Sequence, residues 1–218
     1  MYGTMSRVIH TTVYQLNELS ESARENARNW YCEGGLEYDW YSDIYEDFTL
    51  ICNILGVSLR TQVPQLTSGR YSKKVCIWFS GFCCQGDGAC FEGHYRYQPG
   101  AARNIREHAS QDKELHRITD TLQAIQQRHF WQLQADIQHR GRYYHAGYMH
   151  IAVTCHNSTR QAVSGDAETS LSEPLYDLAH WLYCQLRNEY DRLMFPTAVD
   201  EAIMANAYTF TESGLRFG

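Results

Sequence analysis

A single change of hydrophobic period, at Gly56, constrains this chain more than any other feature. Before it, Tyr41, Ile44, Tyr45, Phe48, Ile51, Cys52 and Leu55 recur every three or four residues, the spacing of one helix face. After it, Val57, Leu59, Thr61 and Val63 alternate with polar residues, as a half-buried strand requires. A chain that switches from period 3.6 to period 2 and later switches back builds both element types into one core. The expectation is an α+β fold: an antiparallel sheet of about five to six strands against an N-terminal helical hairpin and further helices.

The first arm of that hairpin opens at Ser20, whose hydroxyl can accept a bond from an orphan N–H, and it buries Ala23, Ala27, Trp30 and Tyr31. Gly34-Gly35 closes it, and the second arm runs from about Tyr38 to Leu55. Lys74 to Phe82 is apolar on both faces, as in a central strand, and pairs as one hairpin with the alternating run around Phe91 to Tyr97. Residues 101–138 read as helix with a break near Ser110-Gln111-Asp112, Met149 to Val153 as a strand, and 208–217 as a last strand or hairpin. Ser170 with Glu173, and Thr197 with Asp200, have the spacing of capping boxes for two C-terminal helices. Pro64 to Ser72 and Asn157 to Thr169 read as surface loops, so 1–218 is expected to be a single domain.

A hydrophobic fraction of 44% with 13% aromatics excludes a disordered chain. No apolar run approaches the roughly 20 residues that cross a bilayer, and residues 1–12 lack the apolar stretch of a signal peptide, so the expected location is the cytoplasm. Eight cysteines are then expected to be reduced, with no metal or cofactor.

The formal charge of −6 is uneven: residues 1–60 carry four basic and nine acidic side chains, whereas 94–145 carry eight and five together with six of the ten histidines. Glu33, Glu37, Asp39, Asp43, Glu46 and Asp47 concentrate acid on the helical hairpin, with Asp39, Asp43 and Glu46 at helical spacing along one stripe. Such residues serve as a solvated face, or as a negative patch that enters a basic protein groove in place of nucleic acid. Direct nucleic-acid binding is not expected, because RNP motifs, basic helices and a strongly basic balance are missing.

The string Ser80-Gly81-Phe82-Cys83-Cys84-Gln85-Gly86-Asp87-Gly88-Ala89 admits two readings. It is either a tight turn tied by Asp87 to its own backbone or an anion-binding nest. It lacks the lysine and spacing of a P-loop. A small enzyme at this string would recruit Gln85, Asp87 and His145. Cys83, Cys84 and Cys90 depart from the C-x₂₋₄-C spacing of zinc sites. His145 is expected on the same strand face as Met149 and Ile151, with His150 opposite.

Several strings together carry a resemblance. They are Tyr14-x-Leu16-x-Glu18-Leu19-Ser20-x-x-Ala23-Arg24-x-x-Ala27, Asp43-Ile44-Tyr45-Glu46-Asp47, Ser80-Gly81-Phe82 before Gln85-Gly86-Asp87-Gly88-Ala89, and His139-x-Gly141-x-Tyr143-x-His145. They resemble an uncharacterised family of phage, prophage and plasmid accessory proteins. The resemblance implies an anti-defence protein that binds and inhibits a host defence protein, such as a CRISPR effector, through the acidic helical hairpin or exposed aromatic surfaces. The small enzyme and an antitoxin-like binding protein are the alternatives.

Overall fold

The computed structural model describes residues 10–34, 36, 38–62, 74–156 and 164–218. They form an α+β protein, as the change of period requires. Its six helices are α1 (Glu21–Gly34), α2 (Ser42–Leu55), α3 (Ala101–His108), α4 (Lys113–Arg128), α5 (Gly165–Leu193) and α6 (Pro196–Ala205). The strands are β1 (Val57–Leu59), β2 (Thr61–Gln62), β3 (Lys74–Val75), β4 (Ile77–Phe79), β5 (Ala89–Phe91), β6 (Gly93–Arg96), β7 (Leu133–His139), β8 (Met149–Cys155), β9 (Thr209–Phe210) and β10 (Arg216–Phe217). Backbone contacts divide the chain into two compact units, Met1–Trp40 with Asn188–Gly218, and Tyr41–Arg187.

The larger unit is built on an antiparallel sheet in the order β1-β6-β7-β8, flanked by the pairs β2-β3 and β4-β5. Gly56 ends α2 as expected: it takes φ +87°, and its N–H reaches Asn53 and Cys52 carbonyls. Phe48, Ile51, Leu55 and Val57 are buried with Phe91, Tyr95, Ile105, Leu115, Ile118, Leu133, Ile137, Leu171, Leu175 and Leu182. Each large side chain of that core contributes roughly 1.5–3 kcal/mol by leaving water. Phe48 meets Phe91 edge-on, with ring centroids 5.4 Å apart.

Four expectations need correction here. Lys74 to Phe82 is not a central strand: the run breaks at Cys76, whose N–H donates to Arg60 and whose carbonyl accepts from Glu92, and β4 pairs with β5 alone. β6 leaves that hairpin to lie between β1 and β7. The helix over 101–138 ends at Arg128, because Phe130 and Trp131 take φ +54° and +62°, after which Leu133, Ala135 and Ile137 alternate inward on β7. Finally, residues 165–169 belong to α5 rather than a loop, and Ser170 lies inside it; Ser164 makes the capping contact instead, accepting from Ala167 N–H at 3.4 Å.

The break near residue 110 holds. Asp112 caps α4 by accepting from Leu115 N–H at 2.8 Å, and its second oxygen accepts from Trp181 Nε1 at 2.8 Å. Gln126, fully buried near the end of α4, turns back on the start of β7. Its amide donates to Leu133 O at 2.8 Å and accepts from Leu133 N at 3.2 Å. Burial pushes the Tyr95 phenol up to about 12, against the lowering effect of its bond with Gln126.

The smaller unit packs Leu16, Leu19, Ala23, Ala27, Val199, Ile203 and Phe210 together. Ser20 opens α1 as expected, accepting from Ala23 N–H at 3.4 Å. Thr197 and Asp200 do not form a capping box. Phe195 is the N-cap and Pro196 the first helical residue of α6, while both Asp200 oxygens accept from Arg28 at 2.7 Å. The 208–217 segment pairs β9 with β10, and Phe210 bridges Tyr14. Among the described residues, no helix is long and apolar enough to cross a membrane.

Candidate functional site

The candidate site lies in the larger unit, where the β4-β5 connection meets the turn between β7 and β8. Ser80 and Gly88 close the connection: Ser80 N–H donates to Gly88 O at 3.0 Å, and Gly88 N–H donates to the Ser80 hydroxyl at 3.1 Å. Asp87 organises the tip, as its type and position predict, since Oδ2 accepts from the Cys83 and Cys84 N–H groups at 2.8 and 2.7 Å. Those are two of the donors that an anion nest would present, and here a carboxylate of the same loop occupies them. Gln85 is exposed at the tip and Asp87 is half-buried. From α5, the Tyr183 hydroxyl donates to Gly81 O at 3.4 Å, and its ring lies 5.5 Å from Phe82. Burial, and then the nearby Asp87 carboxylate, raise that phenol's pKa.

His145 joins this loop. A Cβ on Gly88 would stand 2.6 Å from His145 Cδ2, so glycine there is required by the approach of the imidazole. His145 Nδ1 accepts from Gly147 N–H at 2.9 Å, which places the proton of the neutral ring on Nε2. His145 is not on a strand face with Met149, however. A short 3-10 turn over Ala146–Tyr148 follows it, and β8 begins only at Met149; His150 does lie opposite Met149 and Ile151, exposed.

Among the described residues, no thiol is hydrogen-bonded to His145, and no group of three His, Cys, Asp or Glu side chains is placed to hold a metal. Cys83 and Cys84 are exposed, whereas Cys90 is buried, and burial beside Glu92 pushes its thiol up to about 12. A thiol–imidazole pair that sequence reasoning missed is on α5, where Cys184 Sγ lies 3.6 Å from His180 Nε2. The i, i+4 spacing was its only signal, and burial raises this thiol's pKa too.

The turn itself presents rings. Trp78 from β4 stacks on Tyr144 (centroids 5.9 Å, planes 11° apart) and lies 6.0 Å from His139. Tyr143 and Tyr148 are 5.7 Å apart, with the Arg142 guanidinium 5.9 Å from the Tyr143 ring. His139 Nε2 bonds the Tyr143 carbonyl at 3.0 Å, and Tyr143, Tyr144 and Tyr148 keep 49%, 39% and 41% of their surface exposed. Trp78 was missed as a member of this surface because its strand reads as apolar on both faces.

The acidic residues divide. Asp43, Glu46 and Asp47 share one exposed face of α2, with Asp43 in the first turn, where the helix dipole favours a negative charge. Asp47 Oδ1 accepts a hydrogen bond from His108 Nε2 at 2.7 Å. Asp39 precedes α2, which begins at Ser42 rather than near Tyr38, and falls in the smaller unit, so it does not join Asp43 and Glu46 in one helical stripe; Glu37 lies outside the described residues.

A family model described as "Domain of unknown function (DUF8835)" matches residues 40–195, more than half of the chain, and the protein therefore belongs to that family. No curated protein matches the chain. No solved structure matches it either.

Proposed function

We propose that this member of the DUF8835 family is a binding protein, an accessory of phage or other mobile elements that inhibits a host defence effector by docking on it. The observation that carries the reading is the exposed group of Arg142, Tyr143, Tyr144 and Tyr148, backed by Trp78 and His139. Tyr, Trp and Arg dominate binding hot spots because they bring large area and a polar tip at little conformational cost. The turn that carries them is tied to the β4-β5 connection by Ser80 and by His145 against Gly88, so the rings are held before a partner arrives. The acidic face of α2 supplies long-range steering toward a basic partner such as a CRISPR nuclease.

The small-enzyme reading has one observation in its favour, the imidazole of His145 set against the Gly-rich loop. The loop's donors at Cys83 and Cys84 are, however, committed to Asp87. Phage plaquing on bacteria that carry a defined CRISPR nuclease separates the two. Expression of the protein should restore plaquing, and Tyr143→Ala with Tyr144→Ala should abolish it and weaken binding to the purified nuclease roughly tenfold or more. If plaquing is not restored, or if the double variant binds and restores like wild type, the docking surface is refuted. Loss of the effect in His145→Ala at unchanged affinity would transfer the function to the enzyme.

A further inference from the structure

The sheet has two edges, and they differ. β1 is three residues long, a short edge of the kind that resists further pairing. β8 at the other edge is seven residues long and pairs without a bulge, from Met149 against His139 to Cys155 against Leu133. Its ladder parity follows from the bonds at its two ends. His156 N–H donates to Gln132 O, and Arg140 N–H donates to Tyr148 O. Residues 148, 150, 152, 154 and 156 therefore exchange bonds with β7, while 149, 151, 153 and 155 direct their N–H and C=O groups away from it.

Tyr176 on α5 donates to the Met149 carbonyl at 3.2 Å. For Ile151, Val153 and Cys155, no partner of the outward backbone groups occurs among the described residues. Apart from that contact at Met149, the strand's own sequence does not blunt the edge: Met-His-Ile-Ala-Val-Thr-Cys has no Lys, Pro, Asp or Glu.

We propose that β8 is a pairing edge for a second copy of this chain, joined antiparallel across a two-fold axis at Val153. Sequence and parity fit this occupant. With Val153 against Val153 of the second copy, Ile151 faces Cys155 of the other chain, and every outward N–H of these three residues meets an outward carbonyl. On the open face, Ala152 comes opposite Thr154 and His150 opposite His156, so no Lys, Arg, Asp or Glu is brought against its like. A foreign peptide would need pockets for its alternate side chains, and the small Ala152 and Thr154 offer none.

The proposal stands apart from the docking reading, since a monomer that still restores plaquing refutes only this one. Sedimentation equilibrium of the full chain between about 1 and about 100 µM should show a monomer–dimer equilibrium. Val153→Pro removes an outward N–H that β7 does not use and should weaken dimerisation at least about tenfold, with the helical circular dichroism retained. The double changes Ala152→Lys with Thr154→Lys, and Ala152→Glu with Thr154→Glu, should each be monomeric alone and associate when mixed. Should any of these fail to fold, Thr154→Lys alone, at an exposed position, tests the same contact. A wild type that stays monomeric throughout, or a dimer that survives these changes, overturns the proposal.

Discussion

The two compact units differ in the size of the apolar core that holds each. The larger, Tyr41–Arg187, is one continuous run whose stability rests on buried aliphatic and aromatic side chains across several helices and a sheet. The smaller closes residues from both ends of the chain around seven buried side chains, two of them alanines. It compensates with polar and aromatic ties: the paired Arg28–Asp200 bonds, and Arg216 lying 4.9 Å from the Trp30 ring and 4.4 Å from that of Tyr208. The family match over residues 40–195 covers the larger unit and only the first part of the C-terminal half of the smaller. The larger apolar core lies in the shared part together with ion pairs of its own, such as Arg117 with Asp177, whereas the Arg28–Asp200 tie of the smaller unit lies outside it.

The largest effects should come from the two cores. Phe91→Ala and Phe210→Ala each remove a fully buried ring and should cost about 3–5 kcal/mol where the surroundings cannot collapse. The comparison is sharpened by urea unfolding followed through tryptophan fluorescence. If the polar ties of the smaller unit matter as much as its core, Phe210→Ala should fall at or below the low end of that range. Equal losses would erase the distinction.

Next comes the tie itself. Asp200→Asn keeps the size of the side chain but loses the charge that meets Arg28 in two bonds at partly buried positions, and it should cost about 1–2 kcal/mol. Arg28 is pinned in its charged form by that carboxylate, so the loss should persist across neutral and alkaline pH. A change within error in the melting temperature would show that the pair is fastened only by its neighbours.

The same residue shows what the sequence could and could not reveal. Thr197 and Asp200 have capping-box spacing, yet Asp200 is claimed by Arg28, which is 172 residues away and invisible to any local pattern. Residues 133–137 failed for another reason. Leu133 and Ile137 are four apart, a spacing that satisfies a helix face and a strand face alike, and only the positive φ of Phe130 and Trp131 decides between them. Where one period alone fitted, the sequence reading located the Ile44 to Leu55 face of α2 and its stop at Gly56, although the helix begins at Ser42 rather than near Tyr38 and the strand after Gly56 divides at Arg60 into β1 and β2. At the candidate site, Asp87 was legible because a carboxylate in a Gly-rich turn bonds locally, whereas the meeting of His145 with Gly88 and of Trp78 with Tyr144 depends on tertiary pairing.

Asp87→Ala within the larger unit should therefore cost about 1 kcal/mol, since two N–H groups lose one acceptor at positions that water can reach. Thermal unfolding checks this. An unchanged melting temperature with plaquing activity lost would make Asp87 a functional residue rather than the tie of its turn.

The smallest effect concerns a pair that both units possess. Glu114 is held below its usual range chiefly by its bonds to Arg117, and Glu189 chiefly by its bonds to Arg192, each three residues on in the same helix. A carboxylate whose folded pKa is depressed adds stability above its unfolded pKa and loses it as pH falls through the folded value. The two differ in reach: Arg117 also bonds Asp177 on α5 at 2.7 Å, tying α4 to α5, whereas Arg192 and Glu189 form a pair within one helix. Glu114 and Arg117 are about half exposed, so Glu114→Gln should reduce the stability lost between pH 7 and pH 3.5 by no more than about 0.5 kcal/mol. Glu189→Gln should change that acid-side loss less, because a local pair partly persists whenever its helix forms in the unfolded chain. Urea midpoints at the two pH values, compared across wild type and both variants, give the ordering. A larger change from Glu189 than from Glu114 would mean that electrostatic fastening is not confined to pairs that join separate elements.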